Sequence, residues 1–293
     1  VSEVQRRQMT TPVEANVHAL AMDGDFDDCQ AVLKDMFNDF DFRDEVRLAG
    51  VNSINWGRVL AQVVYYFTAA VSLGAPHREV SFTVPTGNFG DIFAGYIAKQ
   101  MGLPIAELVV ATNQNDILHR TLQTGAYTKS GVIASISPSM DIQVSSNFER
   151  ALFDAYGRDG AAVAAQMDDL KSGGFEISQG AYQMLTDTFV SGRASEAETS
   201  AAIKTYLMRH GELLCPHSAV GVHVAEAHLG PIPMVTLATA HPAKFPDAVK
   251  AASGIAAPLP PRMADLYERP ERVTRVANDM GSLQALIKER IKI

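Results

Sequence analysis

The stretch Gly87-Asn88-Phe89-Gly90-Asp91 carries the clearest chemical signal in the sequence. It follows an apolar, β-branched run, Val80 to Val84, and precedes a helix-like segment, Ile92 to Met101. A turn between a strand and a helix can direct backbone N–H groups at an anion. Because Gly87 and Gly90 have no Cβ atom, a phosphate group can approach the backbone there closely, and Asn88 can add a side-chain donor. The pattern predicts a phosphate cradle, with an ordinary βα turn as the alternative.

Two further segments place polar side chains between a predicted strand and the next element. The first, Asn52 to Arg58 (NSINWGR), ends in an arginine whose planar guanidinium group suits phosphate oxygens. The second, Thr239 to Phe245 (TAHPAKF), puts a hydroxyl group after an apolar strand, where α/β sheets bind ligands. The alternatives are an Asn/Ser helix cap with a surface arginine in the first segment, and a helix cap at Thr239 in the second.

Two acidic or histidine-rich segments invite a metal interpretation, and the spacing fails in both. Asp23 to Asp28 resembles a calcium loop, but its sixth position is Asp28 instead of glycine and its twelfth is Lys34 instead of glutamate. No zinc-enzyme spacing is met in the other segment, by His217, His223, Glu226 and His228. We therefore predict no metal site.

Composition narrows the class of protein. The 293 residues are 47% hydrophobic and 20% charged, as in an ordinary soluble globular protein. A net charge of −8 without a basic run argues against nucleic-acid binding. The most apolar stretch, Val59 to Ala75, is too short and too polar to span a bilayer, so we predict no membrane association. Two distant cysteines, Cys29 and Cys215, indicate a reducing compartment and a cytoplasmic location.

Strand-like and helix-like segments alternate, which predicts an α/β fold with a mainly parallel sheet. The helix at 56–73 is apolar on most faces and is expected to be central. Residues 147–210 are Ala-rich and amphipathic and predict a helical insertion. The first nine residues look like the interior of a helix, so the chain is expected to begin within a domain. Strands are predicted at 17–22, 46–51, 80–84, 108–111, 234–238 and 272–276, and helices at 25–37, 56–73, 92–101, 116–122, 217–229 and 282–291.

These segments, in this order, resemble the threonine synthase family of pyridoxal-phosphate (PLP)-dependent, fold type II enzymes. The resemblance covers essentially the whole chain. It is carried by VSEVQRRQMTT (1–11), AMDGDFDDCQ (21–30), NSINWGRVLAQVVYYF (52–67), TGNFGDIFAGYIAKQM (86–101), ATNQND (111–116), SPSMDIQVSSNFER (137–150), PHSAVG (216–221) and TAHPAKF (239–245).

The resemblance implies a tryptophan synthase β-like fold, with mostly parallel sheets and helices on both faces. Residues 1–50 would be the remainder of a smaller nested domain, and residues 51–293 the larger PLP-binding domain. It also implies conversion of O-phospho-L-homoserine and water into L-threonine and phosphate, by a monomer or a homodimer.

The resemblance further implies roles for individual residues. Gly87, Asn88, Phe89 and Gly90 would hold the cofactor phosphate, and the Thr239 hydroxyl group would meet the pyridine nitrogen. Asn55 and Arg58 would serve the cofactor or the substrate.

Two departures from the family pattern matter. The Schiff-base lysine is expected upstream of Val1, so the catalytic residues are unknown here and the chain alone is expected to be inactive, as roughly the C-terminal two-thirds of a longer enzyme. Cys215 stands where the family usually has Asp, which leaves the role of His217 open. The alternatives are another fold type II lyase, such as a dehydratase, and a non-catalytic protein that binds phosphate or an amino acid.

Overall fold

The computed structural model describes residues 2–24 and 26–291. The calcium-like segment includes Asp25, which lies outside the described residues. The helices are α1 Glu3–Thr10, α2 Phe26–Asn38, α3 Phe40–Glu45, α4 Trp56–Ser72, α5 Gly90–Gln100, α6 Ile117–Thr124, α7 Phe148–Ala155, α8 Gly160–Lys171, α9 Gln179–Thr188, α10 Glu196–His210, α11 Pro216–Glu226, α12 Pro246–Ser253 and α13 Met280–Ile291. The strands are β1 Leu20–Met22, β2 Val80–Pro85, β3 Ile105–Thr112, β4 Ala126–Thr128, β5 Gly174–Glu176, β6 Phe189–Arg193, β7 Met234–Thr236 and β8 Thr274–Val276.

The larger of two compact units, Val51–Ala257, is built on a four-stranded parallel sheet of order β6-β3-β2-β7. Every residue of β2 is buried, as expected for a strand covered on both faces. In the register, Phe82 lies beside Leu108 on one side and beside Val235 on the other. The prediction of a mainly parallel sheet is therefore confirmed.

Helices cover both faces of this sheet. Alternate residues of β3 point to opposite faces, so Leu108 and Val110 pack in one core cluster while Val109 and Ala111 pack in another. The first cluster includes residues of α4, α5, α6, α7 and α9, and the second includes residues of α11. Because all four strands of this sheet are parallel, their carboxyl ends lie along one edge, and the segments after β2 and β7 that carry Gly87 to Gly90 and Thr239 start there.

The prediction of a helical insertion at 147–210 is wrong in part, since the range contains two strands besides its helices. Strand β6 lies inside this range and pairs with β3 in the main sheet, and β5 pairs with β4 in an antiparallel ribbon. The strand signal is weak because α9 ends at Thr188 and β6 begins at the next residue, Phe189, with no breaker between the two elements.

Helix α4 is less central within this unit than its composition predicts. Val59, Val63, Tyr66 and Ala70 face the core, whereas more than half of the surface of Val64 is exposed. Apolar side chains therefore lie on the outer side of α4 as well as on its core-facing side, and the helix is not buried all round.

The other unit consists of Val1–Gly50 and Pro258–Ile293. Strands β1 and β8 pair in parallel, and Phe42 packs with Met36 and Leu283. From the sequence, residues 258–293 were expected in the larger domain, whereas in the structure they group with residues 1–50. The reason is that β8 needs β1 as its partner and α13 packs against α2.

Two local predictions in this unit also differ from the structure. Residues 46–51 form no strand, because Arg47 has a left-handed backbone (φ 52°) and the Leu48 N–H donates to the Arg43 carbonyl, which closes α3. Helix α1 begins at Glu3, where Ser2 and Gln5 form a capping box, so the first residues include a helix start. Val1 lies outside the described residues.

Within the part of the chain that the structure describes, no helix is long and apolar enough to cross a membrane.

Candidate functional site

A cavity of about 550 Å³ opens at the carboxyl edge of the parallel sheet. A neighbouring cavity of about 310 Å³ shares five of its lining residues, Arg58, Gln62, Pro85, Gly87 and Asp91. The larger cavity is also lined by Tyr65, Ser139, Met140, His217, Leu237, Ala238 and Thr239. The smaller one is also lined by Asn52, Ser53, Thr86, Asn88, Phe89, Gly90 and Ile92. The structure thus brings the three polar segments of the sequence to one place.

The turn between β2 and α5 is held with its backbone N–H groups turned away from the segment 145–147. The Gly87 carbonyl accepts a hydrogen bond from Ser145 Oγ (2.7 Å), and the Asn88 carbonyl accepts from Asn147 N and Nδ2 (3.0 and 2.9 Å). In a trans peptide the C=O and N–H groups point in opposite directions. The N–H groups of Asn88 and Phe89 therefore face away from this segment.

The same N–H groups are free to bind a ligand. Within residues 2–24 and 26–291, the backbone N–H groups of Asn88, Phe89 and Gly90 have no hydrogen-bond acceptor. Helix α5 begins at Gly90 and adds the partial positive charge of its N-terminus. Unpaired N–H groups at a helix start are a suitable anion site.

Phe89, and not a glycine, adopts the strained backbone in this turn. Its φ and ψ are 60° and 4°, the left-handed region, whereas neither Gly87 nor Gly90 has a positive φ. Burial compensates for the strain, because the Phe89 ring is 1% exposed and packs edge-on against Phe148 and Phe189 at 5.2 Å. Phe89 therefore anchors the turn to the core.

The two glycines of the turn have different surroundings. A Cβ atom on Gly87 would lie 2.6 Å from the Ser139 carbonyl oxygen and 3.4 Å from Met140 Cα. A Cβ atom on Gly90 would lie 3.3 Å from Asn147 Nδ2, the far end of a side chain. Gly87 is therefore required by a neighbouring backbone, and Gly90 is restricted less.

The segment Asn52 to Arg58 supplies a cap and a cation. Asn55 is the N-cap of α4, and its Oδ1 accepts from Gly57 N at 2.8 Å. Asn55 is not among the described residues that line either cavity, so the structure gives it the capping role. Arg58 lines both cavities and donates to the Val51 carbonyl at 3.2 Å. Arg150 ties this segment to Asn147, since it donates to the Ile54 carbonyl (2.9 Å) and to Asn147 Oδ1 (2.9 Å).

Asp91 places a carboxyl group on the wall of both cavities. Burial raises the pKa of Asp91 to about 6, while a hydrogen bond from Tyr66 and the positive charge of Arg58 oppose that shift. The site can thus take up a proton near neutral pH. The sequence pattern indicated no chemical role for Asp91.

Thr239 lies three residues beyond the end of β7 and lines the larger cavity. Its N–H donates to Ser218 Oγ at 3.1 Å, and its Oγ1 lies 3.9 Å from Cys215 Sγ. Thr239 does not cap the following turn, because His241 Nδ1 accepts from Ala243 N there. Thr239 thus follows a strand, as predicted, and that strand lies at the edge of the sheet.

Cys215 is the N-cap of α11, and its sulfur accepts from Ser218 N at 3.4 Å. Asp, the residue usual at this position in the family that the sequence resembles, is also a favourable N-cap. Cys215 in place of Asp therefore keeps the N-cap function, with sulfur as a weaker hydrogen-bond acceptor than a carboxylate oxygen.

His217 follows at the start of α11 and is 3% exposed. Its Nε2 accepts from Ser139 N at 3.1 Å, and its ring packs on Phe245 at 4.7 Å. Burial lowers the pKa of His217 to about 4, and nearby Asp141 opposes this shift while Lys244 adds to it. The ring is therefore neutral, with its proton on Nδ1.

The two other histidines considered above as metal ligands, His223 and His228, contact different residues from those that His217 contacts. His223 Nε2 is 3.8 Å from Glu198 Oε1, and His228 Nδ1 is 3.7 Å from Glu107 Oε2. Among the described residues, no group of three or more His, Cys, Asp or Glu side chains is arranged to hold a metal ion.

Sequence reasoning about single motifs missed Gln62, Tyr65, Ser139 and Met140. Ser139 and Met140 fall in the SPSM segment, which carried a signal only through its resemblance to the family. Their place at the cavity depends on the folding of the 135–141 loop, which has no local sequence signature.

The chain is similar to known threonine synthases. A family model described as "Threonine synthase, C-terminal" matches residues 218–287. The chain is 52% identical to a threonine synthase of Pseudomonas aeruginosa and 41% identical to one of Corynebacterium glutamicum. These alignments cover 99% and 98% of this chain, and the chain spans 62% of the length of each relative.

Solved structures of threonine synthases also match this chain. A crystal structure of PLP-bound threonine synthase from Brucella melitensis matches with a TM-score of 0.95 and 57% identity, over 100% of this chain and 64% of that one. Threonine synthase from yeast matches with a TM-score of 0.87 and 39% identity, over 99% and 63% of the two chains. The fold is that of PLP fold type II, and the chain is similar over almost its whole length to threonine synthases, of which it spans about three-fifths.

Proposed function

We propose that this chain carries the cofactor-phosphate and substrate-binding part of a PLP-dependent threonine synthase, which converts O-phospho-L-homoserine and water into L-threonine and phosphate. The observation that carries the proposal is the set of unpaired N–H groups at Asn88, Phe89 and Gly90, beside a cavity that also holds Thr239 and Arg58. A cytoplasmic protein that is a monomer or a homodimer is part of the same proposal.

The residues at the cavity suit PLP. The 87–90 turn offers backbone donors and a helix start for a phosphate group, and the Thr239 hydroxyl group offers a neutral partner for a pyridine nitrogen. When bound, PLP supplies the electron sink for chemistry at the substrate carbons. The chain supplies placement and electrostatics.

Arg58 provides the cationic group for the substrate. It is the one Arg or Lys side chain among the described residues that line the two cavities. Its planar guanidinium group can bind two phosphate oxygens through two nitrogens, whereas a lysine has only one ammonium nitrogen. Asp91, close enough to Arg58 for its pKa to be affected, can hold a proton beside the same phosphate oxygens.

A binding titration tests the proposal. Trp56, the single tryptophan of the chain, opens α4 two residues before Arg58, which lines both cavities, so we expect its fluorescence to report on occupancy. We expect PLP to quench Trp56 saturably, and pyridoxal, which lacks the phosphate group, to bind at least tenfold more weakly. Equal affinities for the two compounds would contradict the phosphate assignment.

The non-catalytic alternative and the dehydratase alternative need a separate measurement. O-phospho-L-homoserine and L-serine are offered in turn to a protein that contains this chain and the remaining length of its relatives. We expect phosphate release from the first compound and no ammonia from the second. Binding of both without turnover would favour a binding protein.

A further inference from the structure

The 135–141 loop forms one wall of the cavity and is fastened at its base to the end of β3. Asp141 Oδ1 accepts hydrogen bonds from Asn113 Nδ2 (2.8 Å), Asn115 Nδ2 (2.8 Å) and Ser135 Oγ (2.6 Å). The Asn113 side chain also donates to Ser137 Oγ at 2.9 Å. These bonds hold both ends of the loop and leave its tip, Pro138 to Met140, to be positioned by something else.

His217 holds that tip. Ser139 is an exposed residue, and its backbone N–H donates to the buried His217 Nε2 at 3.1 Å. Two residues of the tip line the larger cavity together with His217. A helix that packs on the sheet is thereby connected to the wall of the site.

The tip of the loop also contacts the turn at 87–90. The Ser139 carbonyl oxygen is so close to Gly87 that no side chain fits there. The Gly87 carbonyl is held from the other side by Ser145 Oγ. The Gly87 peptide is therefore enclosed between two loops, and a shift of Ser139 changes the space available to the turn.

The ring also carries an unpaired donor. Since Nε2 accepts from Ser139, the proton of the neutral ring is on Nδ1, and this buried Nδ1 has no hydrogen-bond partner among the described residues. An unsatisfied buried donor is destabilising. A ring held at this position in spite of that loss indicates a role other than stability.

We propose that His217 is a positioning residue: its neutral imidazole accepts from Ser139 N–H and holds the tip of the 135–141 loop against Gly87, which keeps the 87–90 turn in its anion-binding shape. The proposal rests on the proposed function, because the anion it serves is the phosphate group of that site.

Two amide variants separate the two ring nitrogens. In His217→Gln the side-chain oxygen can take the place of Nε2 and keep the bond from Ser139. In His217→Asn the amide reaches only as far as Nδ1, so that bond is lost. His223→Asn, on the outer part of the same helix, is the matched control.

The first measurement is hydrogen exchange of the Ser139 amide in the ligand-free chain. We expect at least tenfold faster exchange in His217→Asn and exchange within threefold of the wild type in His217→Gln and His223→Asn. The second measurement is affinity for PLP and for inorganic phosphate. We expect His217→Asn to bind both at least tenfold more weakly, and the other two variants to bind within threefold of the wild type.

The outcomes are distinguishable. Wild-type affinity in His217→Asn, with fast Ser139 exchange, would overturn the proposal, as would equal losses in His217→Gln and His217→Asn. If His217→Asn does not fold, His217→Gln decides the matter alone, since weak binding by this folded variant would overturn the proposal. A wild-type chain that binds neither probe would overturn the proposed function, and this proposal with it.

Discussion

The hydroxyl group of Tyr66 donates to Asp91, with Oη 2.7 Å from the Asp91 carbonyl oxygen and 3.3 Å from its Oδ1. Tyr66 is fully buried, and burial raises the pKa of its hydroxyl group well above the usual range, so it remains a donor. Their hydrogen bonds join α4 to the first turn of α5, which follows the turn at 87–90. A protonatable carboxyl group is thereby fixed beside the turn that we propose binds a phosphate group.

We predict that sulfate binds more tightly as the pH falls through about 6. The pKa of Asp91 is raised to about 6, so a repulsive carboxylate at pH 8 becomes a neutral acid at pH 5. Sulfate keeps its charge over this range, which makes it a better probe than phosphate. Calorimetric titration from pH 5 to 8 measures the effect, and Asp91→Asn should abolish the pH dependence. An unchanged pH profile in that variant would assign the effect to another group.

The same shift predicts a change in stability with pH. A carboxyl group whose pKa is higher in the folded than in the unfolded protein favours the folded state when protonated. The free energy of unfolding should therefore decrease as the pH rises from about 4 to about 6, by on the order of 1–3 kcal/mol from this group. Asp91→Asn should remove that decrease, and urea unfolding of both proteins at pH 4.5 and pH 7.5 measures it.

The two glycines of the turn should respond differently to a methyl group. Gly87→Ala should lower both stability and PLP affinity, since the Ser139 backbone must move. Gly90→Ala should fold with a Tm near that of the wild type, because only the Asn147 side chain must adjust, while its methyl group occupies part of the smaller cavity. We expect roughly a tenfold loss of PLP affinity in Gly90→Ala, about 1.4 kcal/mol. Wild-type affinity in this variant would place the phosphate group elsewhere.

How far the sequence predicted this site depends on what holds each residue. The turn at 87–90 lies between a buried strand and a helix, and Arg58 lies in the first turn of a helix. Both positions could be predicted because they depend on local sequence patterns. His217 and Ser139 could not, because they meet only after α11 packs on the sheet and Asp141 fastens the loop to β3.

The elements of the fold also divide into those that the local sequence predicts and those that depend on distant partners. Strand β2 is buried on both faces, and its run of apolar and β-branched residues, bounded by a turn, predicted it. Strand β6 is half-buried at the sheet edge and starts without a breaker, so its residues looked like part of a helical segment. Residues 258–293 were misassigned because the partner of β8 is β1, more than 250 residues earlier in the chain.

Arg58→Lys should weaken O-phospho-L-homoserine binding about tenfold while PLP affinity changes less than twofold. Lysine keeps the positive charge but loses the planar fork that contacts two oxygens. The measurement is quenching of Trp56 by each compound. The control is Arg158→Lys, at an exposed site three residues beyond the end of α7. Equal binding of O-phospho-L-homoserine by Arg58→Lys and the wild type would make Arg58 a surface residue whose bond to the Val51 carbonyl is its main role.

At Thr239, the role of the side-chain hydroxyl group can be tested without changing the hydrogen bond of the backbone. Its N–H bond to Ser218 Oγ persists in Thr239→Val, which has nearly the same volume and lacks only the hydroxyl group. We expect the loss of one hydrogen bond to reduce PLP affinity by about 0.5–1.5 kcal/mol, or roughly twofold to tenfold in Kd. Thr239→Ser should restore it, because the hydroxyl group returns.

Thr239→Asp should act in another way. A carboxylate beside a pyridine nitrogen favours the protonated ring, whereas a hydroxyl group can donate to the unprotonated one. The absorption spectrum of bound PLP should therefore shift in Thr239→Asp and stay as in the wild type in Thr239→Ser, and spectral titration from pH 6 to 9 measures both. If Thr239→Val and Thr239→Asp keep the wild-type spectrum and affinity, the hydroxyl group near Cys215 makes no contact with the cofactor. The role of Thr239 would then be confined to its backbone bond with Ser218, which fastens the loop after β7 to α11.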